Sequence, residues 1–224
     1  MKITNGLTPE LIAVRIAREI EDGMVVNIGV GIGVLVSDFV PPDKEILFHA
    51  EHGMVGFGPS ISGEGDEYYD PDCVVFGRYH KLLPGASVVD HAESFAIVRG
   101  GHLDLAILGA FEVSQNGDLA NWSMPHMASG GIGGGPDIAS AAKRVIVAME
   151  HTTRDGRPRL VESCSLPLTA PACVDLIVTT CGVFAPTPHG LVLREIAPGL
   201  TVEEVRANTG AKLFVTDQLR QVQL

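Results

Sequence analysis

Residues 8–33 read TPELIAVRIAREIEDGMVVNIGVGIG and contain the pattern that decides the fold. The first three, a hydroxyl residue, a proline and an acid, are typical of a helix N-terminus because each suits the free amides or the dipole there. An apolar stripe at helical spacing follows and ends at Gly23. Residues 24–28 then predict a short buried strand that enters a glycine-rich turn and a brief second helix. This is one β-turn-α unit of an α/β protein.

The same alternation continues along the chain. Further buried strands are predicted at residues 45–50, 73–76, 103–108, 144–149, 174–179 and 191–196. Helices are predicted at residues 90–99, after Pro136 and from a capping box at Thr201, with an irregular acidic stretch at 60–72 and hairpins beyond Glu150. Because buried strands separated by helices favour parallel pairing, we expect an α/β fold with an open, mainly parallel sheet and helices on both faces, as a single domain over residues 1–224.

Composition excludes several classes of function. The chain has 16 Lys and Arg against 27 Asp and Glu, a net charge of −11, so no basic face for nucleic acid is expected. The longest uncharged apolar stretch, residues 24–36, is interrupted by glycines and too short for a membrane span. No secretion signal is visible, so we expect a cytoplasmic location. The four cysteines lack CxxC spacing, which favours buried thiols over zinc ligands.

Two features point to chemistry. Five of the six residues 130–135 are glycine and directly precede a predicted helix, where backbone amides and the helix dipole favour an anion. Glu51 follows a predicted strand, at the edge where open α/β sheets bind ligands, although such an acid is more often a solvated loop residue. His49 and His52 flank Glu51, and we favour packing or a substrate contact over zinc because no further ligands are spaced for a metal.

Other catalytic motifs are missing from the sequence. The turn at residues 29–33 does not complete GxGxxG, no GK[ST] occurs, and neither a GxSxG nor a cysteine with an adjacent histidine is present. Nucleotide binding of the Rossmann or Walker type and a serine or cysteine nucleophile are therefore not supported. No metal site is expected.

In their order along the chain, the motifs resemble the B (beta) subunit of the family I 3-oxoacid CoA-transferases. The resemblance covers roughly residues 7–214. The matching segments are GMVVNIGVGIG (23–33), EHG (51–53), GFGP (56–59), LPGAS (83–87), SFAIVRGGHLDLAILGA (94–110), VSQNGDLANW (113–122), GGGPD (133–137), AKRVIVAMEHTTRDG (142–156), SLPLT (165–169) and EIAPGLTVEEV (195–205).

The resemblance implies a mechanism and a partner. In that family the beta subunit supplies a nucleophilic glutamate, and the matching residue is Glu51. The glycine loop at Gly133, Gly134 and Gly135 matches the family's oxyanion and CoA-binding loop. The implied reaction moves CoA from an acyl-CoA to a short-chain or 3-oxo acid through a glutamyl-CoA thioester, with coenzyme A as substrate and no permanently bound cofactor. An A (alpha) subunit is implied as partner, in an A2B2 heterotetramer.

Departures from the family pattern leave the substrate and the reaction open. His52 stands where the family commonly has Asn, and Gly133-Gly-Gly-Pro-Asp137 replaces Gly-Gly-Ala-Met-Asp. His52, Gly53, Gly31 and Phe76 are accordingly our candidates for the substrate pocket. A hydrolase or decarboxylase on the same fold, and a non-catalytic CoA-binding subunit, remain the alternatives.

Overall fold

The computed structural model of the chain describes residues 6–125 and 131–224. Its helices are α1 (Pro9–Ala17), α2 (His91–Arg99), α3 (Gly135–Ala141), α4 (Val202–Ala207) and a 3₁₀ helix (Ile32–Asp38). Its strands are β1 (Val25–Ile28), β2 (Leu47–His49), β3 (Met54–Ser60), β4 (Val74–Val75), β5 (Arg78–Val88), β6 (Leu105–Leu108), β7 (Glu112–Ser114), β8 (Leu119–Ala120), β9 (Val145–Met149), β10 (Leu160–Val161), β11 (Leu176–Thr179), β12 (Gly182–Thr187), β13 (Gly190–Ile196) and β14 (Leu213–Gln221).

The predicted helix starts form as the sequence indicates. Thr8 caps α1 by accepting a hydrogen bond from the Leu11 amide, and the following proline occupies the first turn. Thr201 and Glu204 form a complete capping box at α4. The glycine-rich turn after β1 leads into the 3₁₀ helix. Within the described residues, no helix combines the length and apolar character needed to cross a membrane.

The main sheet has eleven strands in the order β14-β13-β12-β11-β9-β6-β1-β2-β3-β5-β4. The five central strands, β11, β9, β6, β1 and β2, are parallel throughout. Antiparallel strands extend the sheet on both sides. The α/β fold with an open, mainly parallel central sheet is thereby confirmed, and the sheet as a whole is mixed.

Two apolar cores lie on opposite faces of this sheet. Alternate residues of the central strands enter them: Ile107 of β6 packs with α1 and the 3₁₀ helix, whereas Ala106 and Leu108 pack with the residues of α2, α3 and α4. Strands that are apolar on both faces need a cover on both faces, which is why their sequences are nearly continuous apolar runs. Helices on both faces were predicted and are confirmed.

The antiparallel pairing of β3 with β5 was not predicted. This strand pair forms the part of the sheet next to Glu51. Its strands contain Gly and Pro and pair with register shifts, so they lack the alternation that identifies a strand. The chain enters β3 through Gly53, which has φ +116° and donates its amide hydrogen to Ala50. A β-carbon at Gly53 would collide with the carbonyl oxygen of Val89. Only glycine fits this turn.

We predict that Gly53→Ala destabilises the chain by about 3 kcal/mol or more, because it adds a left-handed-region penalty and a backbone collision. The matched control is Gly65→Ala, since Gly65 has φ +102° with no atom within 4 Å of its added β-carbon. The control should lose only about 1 kcal/mol. Urea unfolding of both variants measures the difference, and equal losses would refute the role assigned to the Val89 contact.

Candidate active site

A cleft of about 530 Å³ opens at one edge of the central sheet. Its floor is formed by residues that follow the carboxyl ends of β2, β1, β6 and β9, which are adjacent and parallel. This edge is where open α/β sheets collect ligand-binding groups, because successive loops from parallel strands meet there. Residues 131–135, which lead into α3, and the turn between β4 and β5 complete the wall.

Glu51 lies in this cleft in the turn after β2 and is half-buried. The glycine segment before α3 passes directly beside its carboxylate. A β-carbon built on Gly134 would lie 2.5 Å from Oε2 of Glu51 and would also overlap the Phe95 ring, and one on Gly133 would lie 3.8 Å from Oε1. Glycine at position 134 is therefore required for the loop to approach the carboxylate this closely.

A buried hydrogen-bond chain holds the main chain of Glu51. The side-chain amide of Asn27, in β1, donates to Nδ1 of His49 over 2.9 Å. The other ring nitrogen, Nε2, therefore carries the proton and donates to Ser94 Oγ over 3.0 Å. Ser94, on α2, donates in turn to the Glu51 carbonyl oxygen over 2.8 Å. The chain thus ties β1, β2 and α2 to the residue that carries the carboxylate.

His49 keeps this chain in one protonation state. Its side chain is fully buried, and burial lowers the pKa of the imidazole to about 4. The ring is therefore neutral at physiological pH, with one nitrogen accepting and one donating. The packing interpretation of His49 fits these contacts better than a metal-binding one. Among the described residues, no group of three His, Cys, Asp or Glu side chains is arranged to hold a metal.

The glycine segment before α3 also presents free backbone N–H donors. Gly134 is the N-cap of α3 and Gly135 its first residue, so the Gly135 amide belongs to the first turn and has no partner within the helix. Pro136 lacks an N–H, and Asp137 in the same turn pairs with Arg99 of α2 over 2.7 Å. This pair holds α3 against α2, which itself carries Ser94. Residues 126–130, including the first glycine of the predicted loop, lie outside the described residues.

The four pocket candidates lie in different places. Gly31 and Phe76 line the cleft with Glu51, whereas His52 and Gly53 are not part of its lining. His52 is exposed, and its Nε2 hydrogen-bonds to the Val74 carbonyl oxygen over 2.9 Å. His52 thereby fastens the β4–β5 hairpin whose turn presents Phe76. Phe76 adopts φ +47°, a backbone conformation that is uncommon for a bulky residue.

The cysteines are unsuited to nucleophilic catalysis. All four are free thiols, and none of them lines the cleft. Burial raises the pKa of Cys164 and of Cys181 to about 12 and that of Cys173 to about 11. A thiol with such a pKa remains protonated and unreactive at neutral pH. The prediction of buried thiols holds for Cys73 and Cys181, whereas Cys164 and Cys173 are only partly buried.

Sequence reasoning missed three residues of the site. Asn27 and Ser94 form the chain to Glu51, and Arg159 lines the cleft opposite it. Asn27 was a detectable signal, since it is the one polar residue inside the buried run of β1. Ser94 and Arg159 carry no local signal, because their neighbours in the site come from distant parts of the chain.

Comparisons with known proteins identify the family of the chain. The family model described as Coenzyme A transferase matches residues 10–208. The chain is 45% identical over 207 residues to a probable coenzyme A transferase subunit beta of Bacillus subtilis, covering 92% of this chain and 94% of that protein. It is 42% identical over 219 residues to the B-type subunit of a 3-oxoadipate CoA-transferase of Pseudomonas putida, covering 96% of this chain and all of that protein.

Among solved structures, an acyl-CoA transferase of Escherichia coli O157:H7 superposes with a TM-score of 0.73 at 21% identity. The match covers all of this chain and 44% of that one, so this chain spans less than half of that protein. At this identity the likeness shows the fold alone. Together with the relatives above, it confirms the predicted resemblance. The chain belongs to the coenzyme A transferase family and is similar over nearly its whole length to beta-type subunits of that family.

We predict that His49 makes folding stability sensitive to mild acid. Its pKa rises from about 4 in the folded chain to the ordinary value of 6.5 on unfolding, so stability is full above pH 6.5 and is lost as pH falls toward 4. The loss reaches roughly 3 kcal/mol. Urea unfolding at several pH values measures the free energy of unfolding. In His49→Gln this free energy should fall less between pH 6.5 and 4 than in the wild type.

The exposed His189 supplies the control for this prediction, because His189→Gln should leave the dependence unchanged. Buried His151, whose pKa is also lowered to about 4, contributes the same way in all three proteins. A difference between wild type and His49→Gln that does not vary with pH would contradict the assignment.

Proposed function

We propose that this chain is the nucleophile-bearing half of a CoA-transferase that moves CoA from an acyl-CoA to a second short-chain or 3-oxo carboxylic acid. The observation that supports it most is the approach of Gly134 to the Glu51 carboxylate inside the cleft. A carboxylate needs no general base to attack a thioester, because it is ionised near neutral pH in its ordinary state. Among the described residues that line the cleft, no other nucleophile is placed comparably.

The reaction proceeds in two matched halves. A Glu51 oxygen attacks the thioester carbonyl and expels CoA thiolate, which leaves an acyl-glutamyl anhydride. The thiolate then attacks the Glu51 carbonyl carbon, forming a glutamyl-CoA thioester and releasing the first acid as a carboxylate. The carboxylate of the second acid attacks the glutamyl carbonyl of this thioester and expels CoA thiolate, which leaves a second acyl-glutamyl anhydride. The thiolate then attacks the acyl carbonyl of that anhydride, and the Glu51 carboxylate is the leaving group. The products are the new acyl-CoA and free Glu51, with no net change in protons.

We assign two roles to the residues around Glu51: to orient its carboxylate and to stabilise the negative charge that forms on the carbonyl oxygen. Each addition step places negative charge on a carbonyl oxygen, and backbone amides that are already in place stabilise it without reorganisation. We assign this role to the amides of Gly134 and Gly135, with Gly133 giving the turn its shape. The chain from Asn27 through His49 and Ser94 fixes the main chain of Glu51, so that its carboxylate meets the thioester in one orientation.

Two partners are included in the proposal. Similarity to beta-type subunits implies an alpha subunit, and we propose that the two assemble as an A2B2 heterotetramer with the cleft between them. Coenzyme A is a substrate in this scheme and not a resident cofactor. We place the reaction in the cytoplasm, following the bacterial relatives.

The hydrolase or decarboxylase alternative rests on His52, which stands next to Glu51 in the sequence. Activating water at the acyl-enzyme would require the imidazole to reach the cleft. Instead, Nε2 of His52 is bonded to the Val74 carbonyl and the residue is outside the cleft lining. The contacts of His52 therefore support a structural role, and transfer remains the better-supported reaction.

We predict that Glu51→Gln abolishes transfer, lowering kcat by at least about 1000-fold, because the amide is a poor nucleophile. The experiment uses the complex with the cognate alpha subunit, incubated with a panel of acyl-CoAs. Intact and peptide mass spectrometry of this chain should reveal a CoA thioester on Glu51 of the wild type and none on the variant.

Glu150 provides the matched control, since it lines the same cleft but lies after β9. Glu150→Gln should keep the adduct on Glu51. Full transfer by Glu51→Gln would refute the proposal. Release of free acid by the wild type without an acceptor, with no adduct, would favour the hydrolase or decarboxylase, and CoA binding without turnover would favour a non-catalytic role.

We also predict that Gly134→Ala lowers kcat by about 100-fold, because its methyl group displaces the carboxylate or the oxyanion donors. Gly131→Ala is the control: Gly131 lines the same cleft, and its added β-carbon meets no atom of the described residues within 4 Å. Steady-state transfer assays on both variants provide the comparison. Equal activity of the two would show that the approach of Gly134 to Glu51 has no catalytic importance.

A further inference from the structure

Four arginines of the chain are at least partly buried, and three of them have carboxylate partners. Arg15 pairs with Glu195 over 2.7 Å, Arg78 with Asp38 over 2.7 Å, and Arg144 with Glu19 over 2.6 Å. Arg159 has no carboxylate within ion-pair distance in the described part of the chain, and residues 1–5 and 126–130 contain no acid at all. A partly buried charge without a partner is unusual.

The contacts of Arg159 leave most of its guanidinium free. The guanidinium makes one hydrogen bond to the described residues, a long one of 3.5 Å from a terminal nitrogen to the Ala110 carbonyl oxygen. Its Nε is buried and has no partner among the described residues. Burial lowers the pKa of the group, although it remains a cation at neutral pH. These contacts do not compensate for the loss of solvent around the charge.

Arg159 lies in the cleft and on the far side from Glu51. Its amide donates to the carbonyl of His151, just beyond β9, whereas Glu51 follows β2. The strands β1 and β6 lie between β2 and β9, so the main chains of β2 and β9 are about 14 Å apart, three strand spacings, and Arg159 lies one hydrogen bond beyond His151. The lengths of the two side chains shorten the gap between the carboxylate and the guanidinium. An acyl group bonded to Glu51 would lie in the same cleft as the guanidinium.

Arg159 is also the only Lys or Arg in the lining of the cleft that the structure describes; the acidic residues there are Glu51 and Glu150. Glu150 is exposed and lies beyond ion-pair distance of Arg159. Its charge raises the pKa of the guanidinium and so offsets part of the lowering caused by burial. A carboxylate or phosphate that enters this cleft meets two negative side chains and one positive one. Arg159 is therefore the point where an anionic group is bound favourably, by a planar fork of N–H donors that matches it.

We propose that Arg159 is a binding site for an anionic oxygen group of a substrate: the distal carboxylate of a dicarboxylic acid, or a phosphate of CoA. This inference rests on the proposed transferase function and adds a substrate class to it. The same Arg159 would discriminate against acids that end in a methyl group, because they leave the buried cation without a partner.

The test compares Arg159→Gln with Arg157→Gln in the complex with the alpha subunit. Arg157 is a matched control: it lies two residues away, is exposed, and pairs with Asp155 over 2.8 Å. Transfer from one acyl-CoA donor is measured to succinate and to butyrate, which differ only in the distal group. Binding of succinate to each complex is measured by calorimetry, which requires no turnover.

We expect Arg159→Gln to raise the KM and the Kd for succinate by about 10- to 100-fold, the size of a hydrogen-bonded charge contact, with butyrate changed less than about twofold. Arg157→Gln should resemble the wild type. If a phosphate of CoA is the ligand, the KM for the acyl-CoA rises instead. With the 3′-dephospho form of the donor, the rise disappears if Arg159 binds the 3′-phosphate and persists if it binds the diphosphate. Either selective loss supports the anion site.

An equal loss for all substrates, or no loss, would overturn the inference, since a structural role does not distinguish a carboxylate from a methyl group. Arg159→Lys decides the matter if the Gln variant does not fold, because it retains the charge but loses the fork and should weaken the anionic substrate selectively. If the wild type is active and Arg159→Gln loses succinate and butyrate transfer equally, only the Arg159 site is refuted. A wild type that forms no adduct on Glu51 refutes the proposed function.

Discussion

The candidate site depends on the buried chain from Asn27 through His49 and Ser94 to the Glu51 carbonyl. It joins two parallel strands and one helix, three elements that the sequence separates by up to 67 residues, to the turn that carries the carboxylate. Because each member is a neutral donor or acceptor, the chain holds geometry without bringing another charge near Glu51. A charged residue at position 49 would lose solvation in the fully buried site and would also change the electrostatics of the carboxylate.

The glycines determine how closely the backbone surrounds that carboxylate. Gly53 allows the chain to turn immediately after Glu51, and Gly134 allows the loop before α3 to pass its oxygens without a β-carbon between them. Glycine loses more conformational entropy on folding than any other residue, so both positions lower the stability of the folded chain. The glycines of the motif EHG and of the glycine cluster therefore each have a steric explanation: a β-carbon on Gly53 would collide with the Val89 carbonyl oxygen, and one on Gly134 would collide with the Glu51 carboxylate and the Phe95 ring.

The sequence was sufficient to predict the parts of the fold that have a strong local pattern. The central strands are recognisable because both faces are buried, and α1 and α4 because their caps are explicit. The β3–β5 strand pair was not predicted, because Gly, Pro and register shifts obscure the alternation of apolar and polar residues that identifies a strand. For the site, the family resemblance indicated Glu51 and the glycines. Asn27 and Arg159 line the cleft of Glu51, and Ser94 bonds to the Glu51 main chain, but the three are far apart in the sequence, so only the folded chain shows that they belong to one site.

The exposure of the cleft has a consequence for the proposed chemistry. Glu51 is half-buried, and Val30, Phe76 and Ile132 at the lining remain exposed apolar surface, with Val30 at 64%. An acyl-glutamyl anhydride in such a place would react with water, and the oxyanion donors would be weakened by solvent. A partner that covers these apolar side chains would exclude that water and strengthen the donors at the same time. In the proposed heteromer, the alpha subunit therefore contributes to the chemistry even where it supplies no reacting atom, because transfer exceeds hydrolysis only in a closed cleft.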